Sequence, residues 1–436
     1  MAASNNRRSL FQRNRGKLMF TVFSAAALFT TGSIVIYLVK QWLYRQQQRI
    51  SEERFAREQI RRRFIQTQEA SLGTVSQLNP VLAIVLNNDN LNIDALFDEL
   101  KNKKKRNGQD HEGVEGSTAP SKTKAELWDE LKINSLVKLV TIIYTVSSLF
   151  MLTRLQLNML ARREYLETAI TMDREKKTAA TTQSGIMSYL GSWWTGNSAE
   201  DSTTPDNNPI SMKSDKVTYT NEQAFLSLSW WLLNEGYKKY QTLAQKYVSE
   251  EFGPINPTDK LSVLEFNERL SAVFQAINRN LLVTGEDGVN LQGTLLPADP
   301  ELYSVLQQSL DTEALLILQE DDIVLRRLIH ETSQYIESTA STVVLERLMN
   351  RSYQYSMSRI DDTIQSRNPK SGDSDVEEKA TATYQMALLS IVVKDTCRLL
   401  LSSSPADGPG NDFLRTLDCT EEMNDLSSSV YSNFNI

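Results

Sequence analysis

The sequence contains few glycine, proline, cysteine and histidine residues. Among its 436 residues there are 17 Gly, 11 Pro, 2 Cys and 2 His. Cys397 and Cys419 cannot form a disulfide framework, so we expect the folded part in a reducing compartment. No proline lies between Ser121 and Thr204 or between Glu301 and Asn368. Long runs with little glycine and no proline are what helices need, so the predicted fold class is all-α.

The histidines and glycines are arranged in no catalytic pattern. His330 begins the stretch "HETSQ", but Gln334 stands where a zinc protease needs its second histidine ligand. The sequence contains no GxxxxGK[ST] or GxGxxG phosphate loop and no GxSxG elbow. We therefore expect neither enzymatic activity nor a bound metal or cofactor.

The charge is divided unevenly along the chain. The net charge is −7, and residues 1–51 carry eight Lys and Arg without any acidic residue, which leaves −15 for the remainder. A nucleic-acid-binding domain would show a basic footprint on its folded part. The charge therefore argues against nucleic acid as a partner.

One long apolar run lies near the N-terminus. Leu18–Val39 holds 22 uncharged residues, about the length that a helix needs to cross a bilayer. A secretory signal peptide is the alternative, but its apolar region is shorter and ends at a small-residue cleavage site. Here Lys40 and Trp42 follow instead, as at a membrane surface. We predict a transmembrane helix over 18–39; basic residues on both sides leave its orientation open.

The remainder, 40–436, is predicted to form one large bundle of long helices. Three polar stretches are predicted to be mobile loops, near 101–124, 173–220 and 366–380. Within the helix between the first two loops, Leu139–Thr153 is an uncharged run of 15 residues. It is short for a membrane span, so we favour a buried central helix over a second membrane pass.

Smaller features have more than one interpretation. The basic run Arg61–Phe64 could touch anionic headgroups, but a solvated helix face is favoured. The stretch "IMSYLGSWW", Ile186–Trp194, could bind lipid or a partner, but is more often a segment that folds back on its own domain. Asn221 is predicted to cap the helix that follows the second loop.

The stretch "SKTKAELWDELKI", which begins at Ser121, contains a helix start and an apolar face. Ser121 or Thr123 can cap the helix, and Glu126 completes a capping box with Thr123. Spacings of three and four then place three apolar residues on one face: Leu127, Trp128 and Leu131. Tryptophan is enriched in binding hot spots, but the pattern alone favours a core position for Trp128.

Several long motifs, taken in order, resemble the peroxin-3 family in its yeast form. These are "FTTGSIVIYLVKQWLYRQQ", "AELWDELKINSLVKLVT", "LTRLQLNMLARREYL", "NEQAFLSLSWWLLNEG" and the closing "DLSSSVYSNF". The resemblance covers nearly the whole chain apart from the polar stretches. It implies a twisted bundle of long helices that faces the cytosol, behind a short tail in the peroxisomal matrix.

The resemblance also implies a function and a site. Family members dock peroxin-19, the soluble chaperone that carries peroxisomal membrane proteins, through an amphipathic helix that enters a hydrophobic groove. The family's groove tryptophan, the residue before it and a lysine four positions earlier match Trp128, Leu127 and Lys124. Helical spacing adds Leu131. With the resemblance, a partner-binding role for Trp128 is favoured over a core position.

The basic tail, 1–17, resembles the family's targeting region, and its basic residues are Arg7, Arg8, Arg13, Arg15 and Lys17. The implied location is the peroxisomal membrane, and the implied partners are peroxin-19 with its cargo and the membrane lipids. Yeast members also tether inheritance and pexophagy factors. An organelle tether is therefore the alternative function, without assigned residues.

Overall fold

Nearly every described segment is α-helical, as the scarcity of glycine and proline predicts. This computed structural model describes residues 57–88, 91–106, 122–195, 209–284, 289–367, 382–402 and 412–433, with the single positions 40 and 54. The α-helices in chain order are α1 (57–88), α2 (Ile93–Arg106), α3 (Lys124–Thr195), α4 (Pro209–Ser227), α5 (Ser229–Trp231), α6 (Tyr237–Phe252), α7 (Val263–Arg279), α8 (Leu291–Leu295), α9 (Asp299–Ser309), α10 (Thr312–Glu320), α11 (Ile323–Glu337), α12 (Thr339–Arg367), α13 (Met386–Leu401), α14 (Asp412–Asp418) and α15 (Glu421–Ser432). Leu232–Gly236 and Asn280–Thr284 are π-helical turns.

The chain divides into two compact units, Met1–Ile65 and Gln66–Ile436. In the described part of the first unit, helix α1 begins at residue 57, and Arg62 Nε lies 3.1 Å from Glu58 Oε1. The predicted tail, 1–17, and the predicted transmembrane helix, 18–39, lie outside the described residues.

Helix α3 is the centre of the second unit. Within the described residues, its stretch Lys124–Met172 is the one helix long and apolar enough to span a membrane, and its most apolar window is entirely buried inside the fold. Leu139–Thr153 is thus part of a core helix, which confirms the prediction of a buried central helix. Hydrogen bonds between hydroxyl groups connect this helix to its neighbours. Ser147 bonds to Ser352 of α12 at 2.9 Å, and Ser148 bonds to Tyr240 of α6 at 2.7 Å.

Within the described residues, the helices that pack extensively on α3 include α2, α6, α12, α13 and α15. Aromatic side chains fill the space on one side, where Tyr144 lies 5.5 Å from the ring of Phe274 and 5.6 Å from that of Tyr240. Burial of leucine, isoleucine, valine and phenylalanine side chains is the dominant favourable term in such a core. The all-α prediction is confirmed.

Two buried arginines on α3 connect this helix to α14 and α11. Arg154 is buried and pairs with Asp418 of α14, and its guanidinium lies 5.0 Å from the ring of Phe150. Arg162 pairs with Glu331 at 2.6 Å. Because a buried charge is costly unless paired, these contacts fix where α14 and α11 lie on α3.

Parts of the predicted loops are helical. Helix α2 continues to Arg106, inside the predicted loop 101–124, and 107–121 lies outside the described residues. In the predicted loop 173–220, helix α3 continues to Thr195 and so includes Ile186–Trp194, and helix α4 already begins at Pro209. The part between them, 196–208, lies outside the described residues. Polarity misled the prediction, because Glu, Lys and Ala are good helix formers and proline suits a first helical position. Helix α12 ends at Arg367, and 368–381 lies outside the described residues.

Asn221 does not cap its own helix, contrary to the prediction, because it lies inside α4. Its side chain serves another helix instead: Oδ1 accepts from the amide of Leu325 at 2.9 Å, and Nδ2 donates to the carbonyl of Asp321 at 3.0 Å. It therefore satisfies backbone groups at the start of α11, which sequence proximity does not reveal.

A small β-ribbon joins distant parts of the chain. Strands β1 (Lys260–Ser262) and β2 (Thr383–Gln385) pair antiparallel, with Leu261 opposite Tyr384. Three residues are too few for an alternating pattern to show in the sequence.

Candidate functional site

The first turn of α3 is fixed by a capping box. The backbone amide of Thr123 donates to Glu126 Oε2 at 2.7 Å, and the amide of Glu126 donates to Thr123 Oγ1 at 3.3 Å. These are the reciprocal bonds that the sequence predicts. The hydrogen bond from the Thr123 amide is the main reason that the pKa of Glu126 lies below its ordinary value.

Helix α2 packs on the apolar face that follows this cap. Four side chains, each at most 4% exposed, form a cluster separate from the main core: Ile93, Leu100, Leu127 and Leu131. Two of them come from α2 and two from α3. The pair of helices thus has its own small apolar interface.

Trp128 lies at the border of that interface. It is half-buried, and so are Leu96 and Phe97 of α2, which pack against the same cluster. We call these three side chains the Trp128 surface. It is apolar, partly open to solvent and shared between two helices, so it can receive the apolar side of another chain.

Cations surround Phe97. The Nζ atom of Lys101 lies 4.6 Å from the centre of its ring, and that of Lys394 of α13 lies 4.9 Å from it. Ammonium groups at this distance are attracted to the face of an aromatic ring. The ring therefore has cations from its own helix and from a helix far along the chain.

Further lysines lie near the start of α3. Lys122 pairs with Glu130 at 2.6 Å, and this hydrogen bond raises the pKa of Lys122. Lys103 pairs with Glu99 at 3.3 Å. Lys124 is exposed and forms no ion pair with another described residue. Of these lysines, Lys124 has the charge most accessible to a partner.

The four predicted site residues lie together but are not equally accessible. Lys124 is exposed and Trp128 is half-buried, whereas Leu127 and Leu131 have no exposed surface beneath α2. The predicted targeting residues Arg7, Arg8, Arg13, Arg15 and Lys17 lie outside the described residues.

Helix α2 is a part of this site that no sequence motif predicted. A signal was available, because Ile93, Phe97 and Leu100 recur at spacings of four and three just before the polar stretch. That spacing predicts an amphipathic helix but not the surface on which it packs.

On another side of α3, Glu130 and Asn134 line a cleft of about 720 Å³ together with Leu91 and the α6 residues Lys238, Gln241, Thr242, Gln245 and Lys246. Its lining is mostly polar, unlike the Trp128 surface. Within the described residues, no group of three His, Cys, Asp or Glu side chains could hold a metal ion.

The sequence is similar to known proteins over its whole length. A sequence model of the Peroxin-3 family matches residues 9–119 and 107–433. Peroxisomal biogenesis factor 3 of Saccharomyces cerevisiae is 42% identical over 443 residues, which cover 100% of this chain and 98% of that protein. The protein of the same name from Eremothecium gossypii is 40% identical, over 98% of this chain and 100% of its own.

More distant relatives have similar coverage. The protein named peroxisomal membrane protein PEX3 from Komagataella phaffii is 28% identical over 98% of both chains. A family match over nearly the full length, together with these identities, places the chain in a single family. The chain belongs to the Peroxin-3 family, a family of peroxisome biogenesis factors.

Proposed function

We propose that the chain is a docking receptor in the peroxisomal membrane that binds the chaperone peroxin-19 loaded with membrane-protein cargo. The observation that carries the proposal is the Trp128 surface, an apolar patch that the main core does not absorb. An amphipathic helix binds to such a surface by placing apolar side chains at spacings of three and four against it.

Trp128 is the main anchor in this proposal. Large aromatic side chains at the centre of an interface contribute most of the binding free energy, because they bring a rigid apolar area at little entropic cost. Trp128 is half-buried against the buried cluster of α2 and α3 before binding, so its conformation is already restricted. A partner helix then covers the exposed part of the indole.

Lys124 selects the partner by charge. It lies four residues before Trp128, one helical turn away, and its ammonium is exposed. An acidic residue on the rim of the incoming helix would pair with it, which favours correct orientation more than affinity. The pairing should therefore weaken as the salt concentration rises.

Leu127 and Leu131 have a different role from Trp128. Both are fully buried against α2, so in this conformation they support the Trp128 surface from beneath. A direct contact between either leucine and the partner would require α2 to move. We therefore assign them to the site as residues that hold α2 and α3 together.

The N-terminal segment completes the proposal. The apolar run 18–39 would anchor the protein by a single membrane pass, with the basic tail 1–17 as the targeting region in the matrix and the helical unit in the cytosol.

Titration of the full chain in detergent with the N-terminal helix of peroxin-19 tests the proposal. We expect saturable binding that Lys124→Glu weakens, with the loss decreasing at high salt. Lys238→Glu is the matched control, because Lys238 is an exposed lysine of α6 outside the Trp128 surface. Absence of binding by the wild type would reject the receptor proposal in favour of an organelle tether for inheritance or pexophagy factors.

A further inference from the structure

Lys394 is a nearly buried cation on α13 that reaches across to α2. Its side chain is 10% exposed, and Nζ lies 3.1 Å from the carboxylate of Asp94 and 3.5 Å from that of Asp395. The same Nζ lies 4.9 Å from the centre of the Phe97 ring. A buried ammonium is costly unless it is paired, so these contacts specify where the α2 groups must lie.

Among the described residues, α2 packs mainly on α3. Its buried apolar residues belong to the four-residue cluster that it shares with α3, and this cluster is separate from the main core. Lys138 of α3 holds the end of α1 and the residues just before α2 by donating to Asn87 Oδ1 at 2.6 Å and to the Leu91 carbonyl at 3.0 Å. Lys394 instead contacts α2 itself, in its first turn and one turn later.

The contacts of Lys394 bear directly on the Trp128 surface. Asp94 and Phe97 are three residues apart and thus lie on the same side of α2. A cation held between them fixes the rotation of α2 about its axis as well as its distance from α13. Phe97 is one of the three residues of the Trp128 surface, so its position relative to Trp128 depends on this contact.

We propose that Lys394 is a positioning residue for partner binding, which holds α2 so that Phe97 and Trp128 present one continuous apolar surface. The inference rests on the proposed function, because it names a determinant of that same site. Lys394 does not touch the partner. Without it, α2 is less ordered before binding, and the partner must supply the free energy that orders it.

Binding of the peroxin-19 N-terminal helix to full-length protein in detergent tests the inference through a double-mutant cycle. Lys394→Met and Asp94→Asn should each weaken binding about tenfold, as expected for loss of a hydrogen bond between charged groups. The double variant should be no weaker than Lys394→Met, since without the ammonium group the Asp94 carboxylate has already lost this partner. Lys394→Arg, which keeps the charge and the donor, should restore most of the affinity.

Hydrogen exchange separates positioning from a general loss of stability. In Lys394→Met the amides of Ile93–Arg106 should exchange faster, while those of the core segment Val137–Leu155 remain unchanged. Asp395→Asn is the matched control, because it removes the other carboxylate near Lys394 without touching α2. It should leave both the affinity and the exchange of α2 unchanged.

Each outcome is decisive. If the wild type binds and Lys394→Met binds equally well with α2 exchange unchanged, the inference is wrong and the receptor proposal stands. Losses that multiply in the double variant would also overturn it, because the two residues would then act independently. If the wild type does not bind the helix, the receptor proposal fails and the inference fails with it.

Discussion

Gly236 faces the carbonyl oxygen of Thr294 so closely that a Cβ atom on Gly236 would lie 2.1 Å from that oxygen. The contact joins the π-helical turn Leu232–Gly236 to α8. Two hydrogen bonds to the Gly293 carbonyl reinforce it, from Trp231 Nε1 at 3.2 Å and from Lys239 Nζ at 2.7 Å. Only glycine permits the backbones to approach in this way.

Gly236→Ala should therefore destabilise the protein by about 1–3 kcal/mol, the usual cost of forcing atoms into a packed site. Gly73→Ala is the matched control, because Gly73 is also helical but, apart from its own stretch of helix backbone, has no atom within 4 Å of its Cβ position. It should be neutral or stabilising by up to about 1 kcal/mol. Denaturant unfolding of the two variants measures the difference, and equal effects would refute the close contact.

The capping box of α3 should give the start of this helix a measurable pH dependence. The pKa of Glu126 is lowered from 4.5, chiefly by the hydrogen bond from the Thr123 amide. A carboxyl with a lowered pKa stabilises the fold above its unfolded-state pKa, and this contribution is lost as the pH falls through the folded-state value. The protection of the first-turn amides, relative to their intrinsic exchange rate at each pH, should thus decrease below about pH 4.5 in the wild type.

Glu126→Gln supplies the comparison for that measurement, because glutamine keeps the shape but cannot titrate. In this variant the protection of the first-turn amides should show no such decrease below about pH 4.5. The same decrease in protection in both proteins would show that another carboxyl group causes it.

The ion pair between Arg154 and Asp418 should contribute more to the free energy of unfolding than ion pairs between exposed residues do. The Arg154 side chain is 1% exposed, so Asp418→Asn leaves a buried charge without its partner. We expect a loss of about 3 kcal/mol. Glu313→Gln, which breaks the exposed pair with Lys216, should cost less than about 1 kcal/mol. Thermal unfolding of both variants tests this, and similar losses would contradict the account.

The features that were correctly predicted depend on neighbours in the sequence. The bonds of the Thr123–Glu126 box join residues three apart, so the sequence contains all the information that they need. The core position of Leu139–Thr153 follows from its composition and length. Both are local properties, and the structure confirms both.

The features that were missed depend on contacts between distant residues. Asn221 caps a helix whose first turn lies about 100 positions later, so its role could not be read from its own surroundings. Likewise, helical spacing predicts the apolar face with Leu127, Trp128 and Leu131. It does not predict that α2 packs on this face, because that contact depends on the tertiary fold. That cover buries the two leucines and leaves Trp128 half open, a distinction that spacing alone cannot make.

The most direct test of the central claim compares Trp128→Ala with Trp231→Ala in the full chain. Trp231 is 8% exposed in the main core, so its removal should lower the free energy of unfolding by about 3–5 kcal/mol. Trp128→Ala should leave the global melt nearly unchanged but weaken binding of the peroxin-19 N-terminal helix about 30- to 800-fold in calorimetry. Wild-type affinity in Trp128→Ala would contradict the account, because the Trp128 surface would then not be the docking site.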